Sequence, residues 1–188
     1  MKKESNVKYI LRLALTLLVI TSVVAVVLAG VNMITGPVIA AWNEAKTQAA
    51  IEAVLEGGYH TEITEFDTQG GMVTKVYQGD NGYAVQVESS GFDGTITMMV
   101  GISKDGKVLG ISIINQSETA GLGAVSAENT SRGENFRNQY IGKSGELSVI
   151  KSGEPGENEV SAITGATITS KAVTAGVNAA LECVAALG

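Results

Sequence analysis

The apolar residues of this chain are concentrated near its N-terminus. No charged residue occurs in the 31 positions from Leu13 to Asn43, which is more than the roughly 20 residues that a helix needs to cross a bilayer. The pattern predicts a transmembrane helix over 13–36. A second helix, over 37–58, is expected to follow it, and Pro37 should either begin that helix or kink a longer one.

The charges on either side of the apolar stretch predict its orientation in a cell membrane. Four basic residues precede it: Lys2, Lys3, Lys8 and Arg12. Because basic residues are retained on the cytoplasmic side, residues 1–12 are expected to be cytoplasmic and residues 59–188 to form a periplasmic or extracellular domain. The alternative is a cleaved signal peptide with a weak cleavage site at Val27-Leu28-Ala29, although the uncharged stretch is longer than a typical signal core.

Beyond residue 58 the pattern changes to short β runs separated by turn signals. MVTKVYQ and YAVQVES lie on either side of Asp80-Asn81-Gly82, and TITMMVGIS and VLGISIIN lie on either side of Lys104-Asp105-Gly106-Lys107. Asn-Gly and Asp-Gly pairs readily adopt the positive φ angles of tight hairpin turns. The two hairpins therefore predict an antiparallel sheet.

The remaining segments predict the other elements of an α+β domain. Residues 128–140 are polar, with Phe136 and Tyr140 spaced by four, which is typical of a short helix. ELSVIK is expected to add a strand. The small and apolar residues of TSKAVTAGVNAALECVAAL predict a long C-terminal helix.

Composition narrows the chemistry that the domain can perform. The net charge is -6, and Lys and Arg form no cluster beyond the first dozen residues, so nucleic acid is not expected as a partner. With one cysteine, Cys183, and one histidine, His60, the chain alone cannot build a disulfide, a cysteine-rich zinc site or a cysteine-ligated iron–sulfur cluster. A redox function would then need an organic cofactor. We expect Cys183 to be a buried hydrophobe and His60 to be structural or solvated.

The segment SAITGATITS brings several hydroxyls to the start of the predicted C-terminal helix: Thr164, Thr167, Thr169 and Ser170. A helix N-terminus offers unpaired N–H groups and the positive end of its dipole, which suit a phosphate ester, and Gly165 lets the backbone approach a bulky neighbour. Ser and Thr are also ordinary N-cap residues, each worth about 1 kcal/mol, and need no ligand. By residue type alone, capping is the favoured interpretation, and no nucleophile–base pair indicates a hydrolase.

The order of these residues adds a specific resemblance. Thr164-Gly165-Ala166-Thr167, followed by Ile168-Thr169-Ser170, resembles the flavinylation motif of the FMN-binding domains in the Rnf and Na⁺-pumping NADH:quinone oxidoreductase complexes. In those families a flavin transferase joins FMN, through its phosphate, to the last threonine of the core. The resemblance implies covalent FMN on Thr167, with Thr164, Gly165, Ala166 and Thr169 around it. The family usually has Asp three positions before the core, where this chain has Ser161.

A second motif lies some forty residues earlier. SETAGLGA resembles the family's Glu-Thr-Pro-Gly-Leu-Gly segment, with Ala120 at the usual proline. The match implies a loop beside the flavin that is formed by Glu118, Thr119, Gly121, Leu122 and Gly123. Without the family match, this segment would be interpreted as a solvated loop after a strand.

The resemblance extends from Gly82 to the C-terminus, and the single span and total length are most similar to the G subunits of the Rnf complexes. It implies a membrane-anchored electron carrier of an ion-translocating ferredoxin:NAD⁺ oxidoreductase, coupled to Na⁺ or H⁺ translocation and assembled with other Rnf subunits. Two alternatives remain: a stand-alone extracytoplasmic flavoprotein that serves a reductase or extracellular electron transfer, and a non-redox sensor or adhesion domain in which SAITGATITS only caps a helix.

Overall fold

The first helix, α1, extends from Asn6 to Val54 in a computed structural model that describes residues 6–55, 57 and 60–187. Its apolar part is exposed and is long and apolar enough to cross a membrane. The chain divides into two compact units, Met1–Ala45 and Lys46–Gly188, and the sheet and cavities described below belong to the second.

Pro37 lies inside α1. It therefore does not begin a new helix, which was one of the two expectations for this residue. A proline removes a single backbone N–H donor, and apolar residues continue the helix on both sides of it. Because α1 ends at Val54, it stops short of the expected end at 57–58; residue 58 itself lies outside the described residues.

Five strands form an antiparallel sheet in chain order: β1 (Thr61–Ile63), β2 (Val73–Gln78), β3 (Gly82–Ser90), β4 (Thr95–Ser103) and β5 (Val108–Asn115). Both predicted hairpins are confirmed, since β2 pairs with β3 and β4 pairs with β5. In the first turn the Gly79 N–H donates to the Gly82 carbonyl at 2.9 Å. In the second, Gly106 has the positive φ, 72°, for which the Asp-Gly pair was expected.

One face of the sheet is covered by the last turns of α1, within the second unit. Ile51 and Leu55 are buried there with Tyr77 and Met99. The ring of His60 lies edge-on to that of Tyr77, with the ring centroids 6.4 Å apart. This contact makes His60 part of the packing at the first strand.

The other face carries the main core, which forms against the C-terminal helix α3 (Thr167–Leu187). Val173 and Val177 of α3 are fully buried, as is Met98 of β4. Cys183 is also buried in α3, and this burial raises the pKa of its thiol, with a smaller contribution from nearby Asp67. The predicted long C-terminal helix and the buried position of its cysteine are therefore confirmed.

The chain between β5 and α3 forms a 3₁₀ turn, a helix and a strand pair: Gly123–Ala127, α2 (Ser131–Asn138), β6 (Ser148–Ile150) and β7 (Glu159–Ser161). ELSVIK does contain a strand, β6, but it pairs in parallel with β7 rather than extending the main sheet. Two side-chain amides hold this pair. Gln139 Oε1 accepts the Ser161 N–H at 2.8 Å, Asn178 Oδ1 accepts the Leu147 N–H at 3.0 Å, and each amide donates back to the carbonyl of the same residue.

A buried chain of hydrogen bonds connects the end of α2 to the first turns of α3. The Thr174 hydroxyl donates to the Ser170 carbonyl at 2.9 Å, so the Tyr140 hydroxyl, 2.7 Å from Thr174 Oγ1, must be the donor in that contact. Burial raises the pKa of Tyr140 well above its ordinary value, and the hydrogen bond to Thr174 offsets part of that rise. The phenol is therefore held in its neutral, donating form.

Substitution of Tyr140 tests this link. Tyr140→Phe removes one buried hydrogen bond and leaves Thr174 bonded to Ser170, so we expect the free energy of unfolding of the full chain in detergent to fall by about 1 kcal/mol in urea titrations. Because the folded pKa is raised, the stabilisation by Tyr140 is fully present below the unfolded pKa of about 10 and is lost as the pH rises above it. The variant should therefore lose less stability than the wild type at alkaline pH.

Tyr83→Phe is the matched control, because the Tyr83 hydroxyl makes no hydrogen bond within residues 60–187. Equal losses of stability in the two variants, or an unchanged alkaline dependence in Tyr140→Phe, would contradict the assignment.

Candidate functional site

A cavity of about 330 Å³ lies where the start of α3 meets the loop after β5 and the turn between β3 and β4. Its volume falls within the range of small-molecule sites. Ten residues line it: Phe92, Glu118, Thr119, Leu122, Gly123, Gly165, Ala166, Thr167, Ile168 and Thr169. The two sequence motifs, some forty residues apart in the chain, thus face one another across a single cavity.

Eight of the ten residues singled out from the sequence line this cavity. The other two do not. Thr164 lines a second cavity, of about 390 Å³, and Gly121 occupies a loop position with φ of +74° that favours glycine. Sequence reasoning did not select Phe92 or Ile168 as site residues. The available signals were an aromatic residue in the polar turn SSGFDG and an apolar residue inside the hydroxyl-rich motif.

Backbone N–H groups at the start of α3 form the polar part of the cavity. The N–H groups of Thr167, Ile168 and Thr169 have no acceptor among the described residues, and the first α3 bond of this region is the Ser170 N–H to the Ala166 carbonyl, at 3.0 Å. Gly165 has φ of +80°, which lets the chain turn sharply into the helix. Unpaired donors at a helix N-terminus are suited to bind an anion.

The hydroxyls at the start of α3 differ in what they bind. Ser170 Oγ accepts the Ile163 N–H at 3.0 Å and donates to the Ala166 carbonyl at 2.9 Å. Thr169 donates to Glu118 Oε2. Both side chains are almost fully buried, with 0% and 1% exposure, so these two hydroxyls are structural.

Thr164 and Thr167 carry the other two hydroxyls, and neither makes a hydrogen bond to any part of the chain that the structure describes. Thr164 is exposed and belongs to the second cavity. Thr167 is half-buried and lines the first. Contacts within the protein therefore account for the hydroxyls of Ser170 and Thr169, although neither caps the helix by accepting one of its first backbone N–H groups. The hydroxyl of Thr167 is left without such a contact.

Glu118 is the charged residue of the cavity lining, and it is only 7% exposed. Its Oε1 accepts the N–H groups of Phe92 and Asp93 at 2.9 and 3.0 Å, while Oε2 accepts the Thr169 hydroxyl. Its own N–H donates to Gln116 Oε1 at 2.6 Å. This loop is therefore anchored rather than solvated, and the carboxylate that was expected beside a cofactor binds three groups of the protein.

Apolar side chains form the rim of the cavity. Phe92, Leu122 and Ile168 are 68%, 43% and 53% exposed, which is unusual for large apolar residues around a single opening. Such a rim suits an aromatic ring system, while the N–H groups at the start of α3 suit a phosphate. The two parts together fit FMN, which carries both groups in one molecule.

Ser161, which occupies the usual aspartate position of the family, is the last residue of β7 and lies away from the first cavity. It lines the second cavity with Thr164 and with side chains of α2, among them Arg132 and Asn135. Nearby, Arg137 Nη1 donates to the carbonyls of Ser126 and Glu128 at 2.7 and 3.1 Å, and burial lowers the pKa of this guanidinium. Those contacts hold α2 against the 3₁₀ turn that follows the loop of Glu118.

Comparison with known proteins agrees with this geometry. The family described as FMN-binding domain matches residues 91–182, a range that contains the whole lining of the first cavity. Among solved structures, the C subunit of the Na⁺-translocating NADH-quinone reductase from Parabacteroides distasonis is similar in fold, with a TM-score of 0.51 and 19% identity, covering 74% of this chain and 83% of that one.

Two curated relatives are similar over almost their whole length. The G subunit of the Na⁺-translocating ferredoxin:NAD⁺ oxidoreductase complex from Acetobacterium woodii is 35% identical over 201 residues, covering 96% of this chain and 94% of the relative. The G subunit of the proton-translocating ferredoxin:NAD⁺ oxidoreductase complex from Clostridium ljungdahlii is 34% identical over 187 residues, covering 97% and 95%. The resemblance inferred from the two motifs is confirmed, and this chain belongs to the G-subunit family of the ion-translocating ferredoxin:NAD⁺ oxidoreductase complexes, with that family's FMN-binding domain.

Proposed function

We propose that this protein is the electron-carrier subunit of a membrane-bound, ion-translocating ferredoxin:NAD⁺ oxidoreductase, and that its FMN is bonded through phosphate to Thr167. The observation that carries the proposal is the hydroxyl of Thr167, which lines the cavity without a partner among the described residues and lies at the unpaired N–H groups of α3. Thr119 also lines the cavity, but it is exposed and lies on the facing loop, away from those donors.

The roles of this chain and of its partner subunits follow from the groups that this chain contains. Bound FMN exchanges one or two electrons, which allows it to join one-electron carriers to a two-electron couple. The residues of the first cavity would hold and orient the cofactor, and the rim of Phe92, Leu122 and Ile168 would exclude water from its ring. Within the described residues one helix, α1, is long and apolar enough to cross a membrane. A single span provides no path for an ion, so translocation of Na⁺ or H⁺ is assigned to neighbouring subunits.

Attachment through phosphate needs an activated flavin donor, because direct condensation of FMN with threonine would release water, which is unfavourable in aqueous solution. With flavin adenine dinucleotide as donor, Thr167 Oγ1 bonds to the phosphorus on the riboflavin side. The pyrophosphate P–O bond breaks, AMP leaves, and the threonine proton passes to a base of the flavin transferase. No electron is gained or lost. The unpaired N–H groups at the start of α3 would stabilise the resulting phosphodiester.

Intact mass tests the attachment. Co-expressed with a flavin transferase, the wild-type chain should gain one FMN-sized phosphoester increment. Thr167→Ala should abolish it, because no other hydroxyl at the helix start is both unpaired and in the cavity lining within the described chain.

Thr64→Ala is the matched control, since it removes an exposed hydroxyl that makes no hydrogen bond to the described residues and lies outside the first cavity. It should retain the increment. A wild-type chain without added mass and without yellow colour would refute covalent FMN and favour a non-redox sensor or adhesion domain.

The same proposal assigns the parts of the chain to the two sides of the membrane: residues 1–12 in the cytoplasm, 13–36 as the span, 37–58 as the juxtamembrane segment, and 59–188 on the periplasmic or extracellular face. Support comes from the basic residues before the span and the mixed charges after it.

A membrane-impermeant maleimide tests this orientation in whole cells. Lys151→Cys places a thiol on an exposed position of the domain and should be labelled without permeabilisation. The native Cys183 contributes no background because it is buried and its thiol pKa is raised. Ser5→Cys should be labelled only after the cells are permeabilised, and the reverse pattern would contradict the assignment.

Purification from native membranes tests the assembly. We expect a tagged full-length chain, solubilised in mild detergent, to bring down integral-membrane subunits of the oxidoreductase. Thr167→Ala serves as the control, because it should keep these partners while it loses the flavin. Recovery of a flavin-loaded chain without any membrane partner would support the stand-alone flavoprotein instead.

A further inference from the structure

Glu118 lies where the three segments that build the cavity meet. Its carboxylate is bonded to the turn between β3 and β4 through the N–H groups of Phe92 and Asp93, and to α3 through the Thr169 hydroxyl. Its own backbone belongs to the third segment, the loop after β5. In all three contacts the carboxylate accepts the hydrogen bond, as it must because a carboxylate has no proton to donate.

Two glycines leave room for this carboxylate. A Cβ added at Gly123 would lie 2.7 Å from Glu118 Oε2, and one added at Gly91 would overlap Glu118 Oε1. The chain therefore approaches the carboxylate from both sides more closely than other residues permit. Glu118 is therefore enclosed in the wall of the cavity and is not presented to a ligand.

The hydrogen bond between Thr169 and Glu118 determines which hydroxyl at the start of α3 is available for bonding to a ligand. Thr169 and Thr167 are two residues apart at the same helix start, and both line the cavity. Because the Thr169 proton is donated to a buried carboxylate, its oxygen is held as part of the wall. Thr167 is left as the hydroxyl of this pair that is available for bonding.

The hydrogen bonds between Glu118 and the β3–β4 turn help to determine the position of Phe92 at the rim of the cavity. Phe92 is 68% exposed, and within the described chain the turn that carries it is bonded to the loop after β5 through Glu118 and Ser117 alone. Without the carboxylate, the N–H groups of Phe92 and Asp93 would lose their acceptor, and the turn that carries the aromatic ring would be bonded to this loop only through Ser117.

We propose that Glu118 is a positioning residue that presents Thr167 for flavin attachment and holds Phe92 at the rim, by binding Thr169 and the β3–β4 turn at once. It acts through these groups and does not itself bond to the flavin. The inference rests on the proposed attachment of FMN to Thr167.

The test is the rate of FMN attachment to the full-length chain in detergent, with purified flavin transferase and flavin adenine dinucleotide. Glu118→Ala removes three hydrogen bonds and should slow attachment by about tenfold or more, since loss of even one strong hydrogen bond in the reacting arrangement has an effect of that size. Glu118→Gln keeps the shape, an acceptor for the turn and a donor toward Thr169 Oγ1, so it should restore attachment to near the wild-type rate.

The second readout is the visible circular dichroism of the attached flavin, which reports the protein groups around the ring. Glu118→Ala should change this spectrum because Phe92 is released, whereas Glu118→Gln should preserve it. Glu159→Ala is the matched control: that carboxylate also accepts a backbone N–H, from Gly156 at 3.0 Å, but lies outside the cavity. It should leave both readouts unchanged.

Thr169→Val keeps the test decisive where Glu118→Ala fails to fold. It conserves the shape of the side chain and removes only the contact between Glu118 and α3, so it too should slow attachment and alter the spectrum. Wild-type rates and spectra in the folded variants would overturn the inference. Absence of attachment in the wild-type chain would instead refute the proposed function.

Discussion

The first turn of an α-helix cannot satisfy its own backbone N–H groups, and the cavity of this protein is built around that constraint at α3. Ser170 ties the incoming chain down by bonding to Ile163 and Ala166, which fixes where the helix begins. Tyr140 and Thr174 continue this bonding into the core. As a result, three N–H groups face the cavity in a fixed position, and everything else in the site is arranged with respect to them.

The sheet provides the rigidity that such an arrangement needs. Its five strands follow one another in chain order, so the β3–β4 turn and the loop after β5 emerge at the same end and converge on the start of α3. Packing on both faces, by α1 and by α3, holds these strands in place. A polar site with many local contacts can then be maintained by loops that have little regular structure of their own.

Those parts of the fold that depend on local chemistry were predictable from the sequence. The two hairpins follow from Asn-Gly and Asp-Gly turns, and α3 follows from its run of small and apolar residues. The parts that depend on distant contacts were not. Parallel pairing of β6 with β7 relies on the amides of Gln139 and Asn178, which lie well outside both strands.

The same distinction applies to the cavity. The family motifs indicated most of the lining, because residues that contact one cofactor recur in a fixed order. They did not indicate Phe92, whose position depends on a turn bonded to a glutamate 26 residues away. The motif singled out Thr167 as the attachment residue, but it did not indicate that Thr169 is bonded to Glu118, since that contact exists only once α3 packs beside the loop.

Phe92, Leu122 and Ile168 are exposed at the opening of the cavity, so a ligand held there without a covalent bond would exchange rapidly with the solution. Enclosure would lengthen the residence time, but it would also surround the ring with insulating protein. The proposed bond between the phosphate and Thr167 would retain the cofactor without enclosure. The openness of this site therefore suits electron exchange across a protein surface, where the distance between two carriers, rather than the affinity for either, limits the rate.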